Sequence, residues 1–303
     1  TRLALVNWVG GVTGDWLNPS NWTGGAVPDL SNVAEVVIPT GTTVNFNTTH
    51  AGLAQVGAVS LTKLSAAGAS LAQSTGTLNV SGNASVGTWQ QTDGVTTVGG
   101  NFESTDGFVQ GRYATLAVTG TTTVGSSGAV TLGSLSSTGA LSVAATGGTI
   151  TQLAGTALNA ASTSSFSAQN ANVDADIVLN NASNVWGGAV NVSHAANLSL
   201  NGTALPLGII TTSGTQTYAR PVVLQSNATL TGTGVTFSDT VNGAYRLVVN
   251  DAGNTVFAKS VGDLTYGAAP LHLETNSTTT TFNGAVVRTS GPSSMLFNND
   301  VVV

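Results

Sequence analysis

Cysteine is absent from this chain, and charge nearly so, with 7 Lys and Arg and 13 Asp and Glu among 303 residues. The first absence excludes disulfides, thiolate catalysis and cysteine-ligated zinc. The second leaves 7 % charged residues, against about 25 % in an ordinary soluble domain. With a net charge of −6 there is no basic patch for a phosphate backbone, so nucleic acid is not an expected partner. No apolar run reaches the roughly 18 residues of a membrane-spanning helix, so no membrane span is expected in this segment. Apolar residues never recur at helical spacing over a convincing window, so helix is expected to be scarce. A cysteine-free chain is neutral about compartment in general, and it fits large exported bacterial proteins, which must stay unfolded during export. No charged-then-apolar leader precedes Thr1, and the other end closes on the strand-like run Asn298 to Val303. Both ends read as internal to a longer, processed chain, or the last strand pairs with a neighbouring molecule.

What is abundant is Val, Thr, Ser, Asn, Ala and 38 Gly. Short runs such as Val36-Val37-Ile38, Val222-Val223-Leu224 and Leu247-Val248-Val249 are punctuated by Gly, Asn and Ser, the pattern of short strands and tight turns. These runs repeat. In the C-terminal half an aromatic residue is followed four positions later by Val, at Trp186/Val190, Tyr218/Val222, Phe237/Val241, Phe257/Val261, Phe282/Val286 and Phe297/Val301. These twelve residues are the expected core of the repeat. Earlier, LNVSGNASV, TTVGGNFES and LAVTGTTTV align at Val80, Val98 and Val118, and TSG recurs at Thr212 and Thr289 before an aromatic and closing valines. Both blocks share a period near 20 residues, too short for a four-stranded propeller blade and without the frame of a leucine-rich repeat. One coil of two or three short strands fits. The predicted fold is therefore all-β, a right-handed parallel β-helix over residues 41–303 with the aromatics stacked in one column. Coils about 4.8 Å apart and about 20 residues long would give roughly a dozen coils and about 60 Å of rod.

Residues 1–40 differ, carrying three of the five Trp at Trp8, Trp16 and Trp22, with Pro28 and Pro39. A solenoid needs its first coil covered, and Trp rings suit that, so the segment reads as a Trp-rich N-terminal cap. A Trp-lined carbohydrate platform is the alternative. The pattern from Gly14-Asp15-Trp16 through Asn21-Trp22 and Gly24-Gly25 to Pro28, followed by Val/Ile runs and the TSG repeats, resembles large bacterial β-helix adhesins, including autotransporter passenger domains and filamentous-haemagglutinin-like exoproteins. The resemblance implies a secreted or cell-surface protein, a stalk, adhesin or matrix fibre, with host or matrix glycans and further copies of itself as partners.

Parallel β-helices also host polysaccharide lyases and hydrolases, the alternative function. Such chemistry needs carboxylates gathered on one face. Asp174 and Asp176 are the one close pair, at a strand spacing that shares a face, and are the weak candidates for an acid/base pair or a cation site. No Lys or Arg lies between Arg112 and Arg220 to complete a catalytic set. Asp93, Asp106, Asp251, Asp263 and Asp300 read as turn residues, and His50, His194 and His272 are scattered. No catalytic residue, cofactor or metal is therefore expected. Asn79, Asn83, Asn197, Asn201 and Asn227 begin Asn-x-Ser/Thr triplets, read as surface turns or glycan acceptors.

Overall fold

Glycine and asparagine at fixed intervals, with Val, Leu and Ile between them, dictate strands too short to do anything but turn and stack. A computed structural model describes residues 4–28, 33–47, 58–265, 267–291 and 295–303. Its regular secondary structure is almost all strand, the one helix among the described residues being the 3-10 turn Pro19–Asn21. Parallel pairing makes the chain a β-solenoid of about 12 turns. It divides into two compact units, Thr1–Ala145 and Thr146–Val303.

Each coil of the first unit has three faces. Its first face stacks 64–66 on 84–86 and 102–104, then Thr122–Ser126 and Leu141–Ala145. The second stacks Thr43–Phe46, 70–73, 88–91, 107–110 and Val130–Leu132. The third runs through Ala58–Leu61, Thr77–Val80, Val95–Val98, Thr115–Val118 and Ser134–Ser137. Strands Leu64–Gln73, Ala84–Gln91 and Phe102–Gln110 each turn a corner between the first two faces, where the register shifts. Val80, Val98 and Val118 occupy one inward column, so the period read from them is the coil itself.

The corner from third face to first is three residues long in four successive coils: 81–83, 99–101, 119–121 and 138–140. Backbone packs on backbone there. Gly100 N donates to Gly82 O at 2.8 Å, Gly120 N to Gly100 O at 2.9 Å and Gly139 N to Gly120 O at 2.9 Å. A Cβ on Gly120 would meet Gly100 O at 2.6 Å, which is why only glycine fits this column. Beside it Asn83 Oδ1 accepts from Asn101 N and Asn101 Oδ1 from Thr121 N, both at 2.9 Å.

The second unit repeats the plan with a shorter third face. Its second face runs Ile177–Leu179, Leu198–Leu200, Gln216–Tyr218, Val235–Phe237, Asn254–Phe257 and Thr279–Phe282. The expected aromatic column is there: Tyr218, Phe237, Phe257 and Phe282 stack with centroids 5.2, 4.7 and 4.9 Å apart and planes within 24°. Each closes the second face, and Val222, Val241 and Val261 that follow lie buried on the third.

Three members of the sequence repeat depart from this column and correct that reading. Val286, expected in the core after Phe282, is only half-buried. It is Val287 that stands opposite Val261, while Val286 gives its carbonyl to Val261 N at 2.8 Å. The corner after Phe282 is one residue longer than the corner after Phe257, so the alternation slips and Val286 leaves the inward column. Trp186 lies on the third face with Val190 on the first, both buried but one face away from the expected place. Phe297 lies on the first face with Val301 on the second, and neither is core: Phe297 is half-buried and Val301 is 40 % exposed. The TSG stretch at Thr289 is likewise one face out of phase with that at Thr212, since it leads into Met295–Phe297 on the first face and not into the second. Three short strands per coil share similar corner chemistry, so a motif can recur in sequence while moving one face around the coil.

Residues 1–40, expected as a cap, contain strands of the coil itself. Ala4–Asn7 pairs in parallel with Val33–Val37, and Thr13–Asp15 with Thr43–Phe46.

Candidate functional site

The Trp segment is an excursion from the second face, held by Asn18, whose Oδ1 accepts from Ser20 N at 3.1 Å. Trp8, Trp16 and Trp22 are 4 %, 0 % and 2 % exposed. Trp22 packs edge-on against Trp8 at 4.9 Å and Trp16 at 4.8 Å, and Trp16 reaches Phe46 at 5.5 Å. Trp22 Nε1 donates to Trp16 O at 2.6 Å and Trp8 Nε1 to Gly11 O at 2.8 Å. The rings spend their faces on one another and offer none to a sugar.

Asp174 and Asp176 bind different partners. Asp174 lies on a two-strand projection, Ser164–Asn170 against Val173–Asp174, turned through Ala171 and Asn172 at φ 48° and 66°. Its Oδ1 sits 3.3 Å from His194 Nδ1 and 3.5 Å from Gln169 Nε2. Asp176 Oδ1 instead accepts from Asn197 N at 3.1 Å and Asn197 Nδ2 at 3.0 Å. His272 Nε2 lies 3.3 Å from Glu274 Oε2, and His50 lies outside the described residues. Among the described residues no three His, Asp or Glu side chains converge as metal ligands, and no helix is long and apolar enough to cross a membrane.

The remaining carboxylates serve the coils. Hydrogen bonds from Lys63 at 2.8 Å and Ser65 at 2.6 Å hold the Glu35 carboxyl below its ordinary range. Asn276, Arg246 and His272 do the same for Glu274. Asp251, expected in an open turn, is 2 % exposed and accepts from Val235 N, Gly253 N and Thr255 Oγ1. The sequon asparagines are also bound across coils: Asn79 to Thr97 Oγ1 at 2.7 Å, Asn83 to Asn101 N, Asn197 to Thr215 N at 2.8 Å, Asn201 to Asn180 O at 3.2 Å and Asn227 to Arg246 N at 3.1 Å.

Two features escaped the sequence reading. The first is buried. Gln73, Gln91 and Gln110 close the second face in successive coils of the first unit, each no more than 1 % exposed. Gln91 Nε2 donates to Gln73 Oε1 at 3.1 Å and Gln110 Nε2 to Gln91 Oε1 at 3.0 Å. The other amide groups reach Gly76 O, Gly94 O, Thr115 O and Gly133 N, so the ladder is satisfied inside the core. The second is a groove of about 530 Å³ along the third face of the same unit. Its strand row is Ser60, Asn79, Thr97, Ala117 and Ser136, in register from coil to coil.

Stacked parallel coils with interior ladders define a repeat β-solenoid. A family profile described as "Repeats of unknown function (DUF5649)" matches residues 124–193, and the chain is similar to that family over this stretch. No curated protein and no solved structure matches the chain.

Proposed function

We propose that this chain is a structural and adhesive element outside the bacterial cell, a stiff β-helical stalk or fibre subunit of the cell surface or matrix. The observation that carries the reading is the way polar groups are spent. Glutamine, asparagine and threonine side chains bind the next coil, so each coil is fastened to its neighbours by side chains as well as by strand pairing. Interiors close-packed in this way resist bending. The reading is of a non-catalytic protein, consistent with the separate partners of Asp174 and Asp176. Exposed Leu5, Val9 and Val12 in one unit, and Met295 and Leu296 in the other, offer apolar surface for association between copies. Negative-stain electron microscopy of the purified chain tests the proposal. Straight particles of uniform width are expected, some associated at high concentration; flexible or globular particles would overturn it.

A further inference from the structure

The third face of the first unit carries a feature that a stalk does not require. Along five coils, residues in the strand row point outward, the next residue (Leu61, Val80, Val98 or Val118, each 3 % exposed or less) points inward, and the one after it points outward again at the start of the corner. Two outward rows thus flank a trough whose floor is the backbone over buried aliphatics. Seven Ser and Thr hydroxyls and one side-chain amide, Asn79, line it alongside apolar carbon, and among the described residues no charged side chain does. Asn79 Oδ1 accepts from Thr97 Oγ1 at 2.7 Å, which leaves the Asn79 amide hydrogens to face a ligand. Ala117 and Gly99 remove bulk at the middle of the groove. The hydrogen-bonding groups recur once per coil, about 4.8 Å.

We infer that this groove binds an extended neutral polysaccharide, laid along the stacking direction so that successive sugar units meet successive coils. A periodic ligand suits a periodic site. An uncharged lining of hydroxyls, one amide and apolar carbon matches the equatorial hydroxyls and C–H faces of a neutral glycan, and it gives no counter-charge for uronic acids, phosphates or nucleic acids. A peptide is less well matched, because the strands here are already paired on both sides and offer no edge for another strand. The inference rests on the extracellular reading for where such a glycan would be met, and it relocates carbohydrate contact away from the buried Trp segment.

The test is titration of the full chain with β-linked gluco-, xylo- and manno-oligosaccharides of increasing length, read by calorimetry and by NMR line broadening of the sugar. Saturable binding that strengthens with oligosaccharide length and does not weaken with salt is expected. Ala117→Arg should fill the groove and lower affinity at least tenfold, Asn79→Ala should lower it several-fold, and Thr236→Arg on the second unit should leave it unchanged, all three with unaltered circular dichroism. No saturable binding to any neutral oligosaccharide, binding untouched by Ala117→Arg, or binding only of acidic oligosaccharides with steep salt dependence would each overturn the inference. An Ala117→Arg variant that changes sedimentation of the protein and not sugar binding would assign the groove to a second copy and overturn it as well. Electron microscopy of the same samples reads the stalk separately, so a straight particle that ignores sugars rejects the groove alone.

Discussion

The two units fill the same place in the coil with opposite chemistry. At the last residue of the second face, the first unit sets Gln73, Gln91 and Gln110, and the second sets Tyr218, Phe237, Phe257 and Phe282. A glutamine ladder is directional: every amide must find its partner one coil away, so a slip in register orphans several buried groups together. A ring stack is tolerant. It gains mainly from apolar burial and offset contact, and it survives the 25-residue step from Phe257 to Phe282 with centroids still 4.9 Å apart. Tyr218 joins the two chemistries. Burial pushes its phenol well above the usual range, keeping the proton that it donates to Gln216 Oε1 at 2.7 Å.

The comparison breaks most visibly at the rings. Phe237→Ala removes the fully buried member between Tyr218 and Phe257, and a loss of about 3–5 kcal/mol is expected in urea unfolding. Gln91→Leu should cost about 1–3 kcal/mol, because Gln73 Oε1 and Gln110 Nε2 each lose one buried bond and keep only Thr96 Oγ1 and Ser134 O, while Gly94 O and Thr115 O lose a side-chain donor. Replacing Gln73, Gln91 and Gln110 together should cost clearly less than three times the single change. An additive triple variant would show that the ladder does not act as a unit. Gly100→Ala should cost about 1–3 kcal/mol, because the added methyl meets Gly82 backbone and Asn83 Oδ1. Gly128→Ala, with nothing nearer than Ser126 Oγ at 3.9 Å, should be close to neutral in the same urea unfolding.

The smallest effect is electrostatic. Glu274 and Glu35 have carboxyls held below their ordinary values, so their contribution is complete above the unfolded-state value and is lost as pH falls through the lower, folded one. Glu274→Gln should lower the neutral plateau of a melting-temperature profile slightly and flatten its acid limb, because the contribution it removes is present at neutral pH and already lost in acid. A steeper acid limb would contradict the assignment.

The coil was legible where one column repeats one residue type. Val80, Val98 and Val118 announce it directly, and Tyr218, Phe237 and Phe257 do so again. Trp186 and Phe297 mislead because an aromatic four residues before a valine arises at more than one corner of a three-faced coil. Val286 misleads for a smaller reason, a single extra residue in its corner that hands the pairing position to Val287. The glutamine ladder carries the same period, at intervals of 18 and 19, and is readable once position in the coil is known. Composition hides it, since Gln by itself signals a surface. The groove was not legible at all: Ser, Thr, Asn and Ala are what any outward row of this chain contains, and only stacking turns such rows into a trough.

The three-residue corner has a consequence for how such a chain can change. The Trp excursion follows a second-face strand and the projection at residues 170–174 a first-face one, whereas in the second unit residues 262–271 lengthen the third-to-first corner between Val261 and His272–Asn276. The glycine and asparagine corner acts as a reading frame. In the four coils that share it, it keeps a constant phase between the third face and the next first-face strand, so a loop inserted at another corner is a local event that leaves the strands downstream in place. In those four coils new binding loops can therefore be grafted at the other two corners without disturbing the glycine and asparagine contacts.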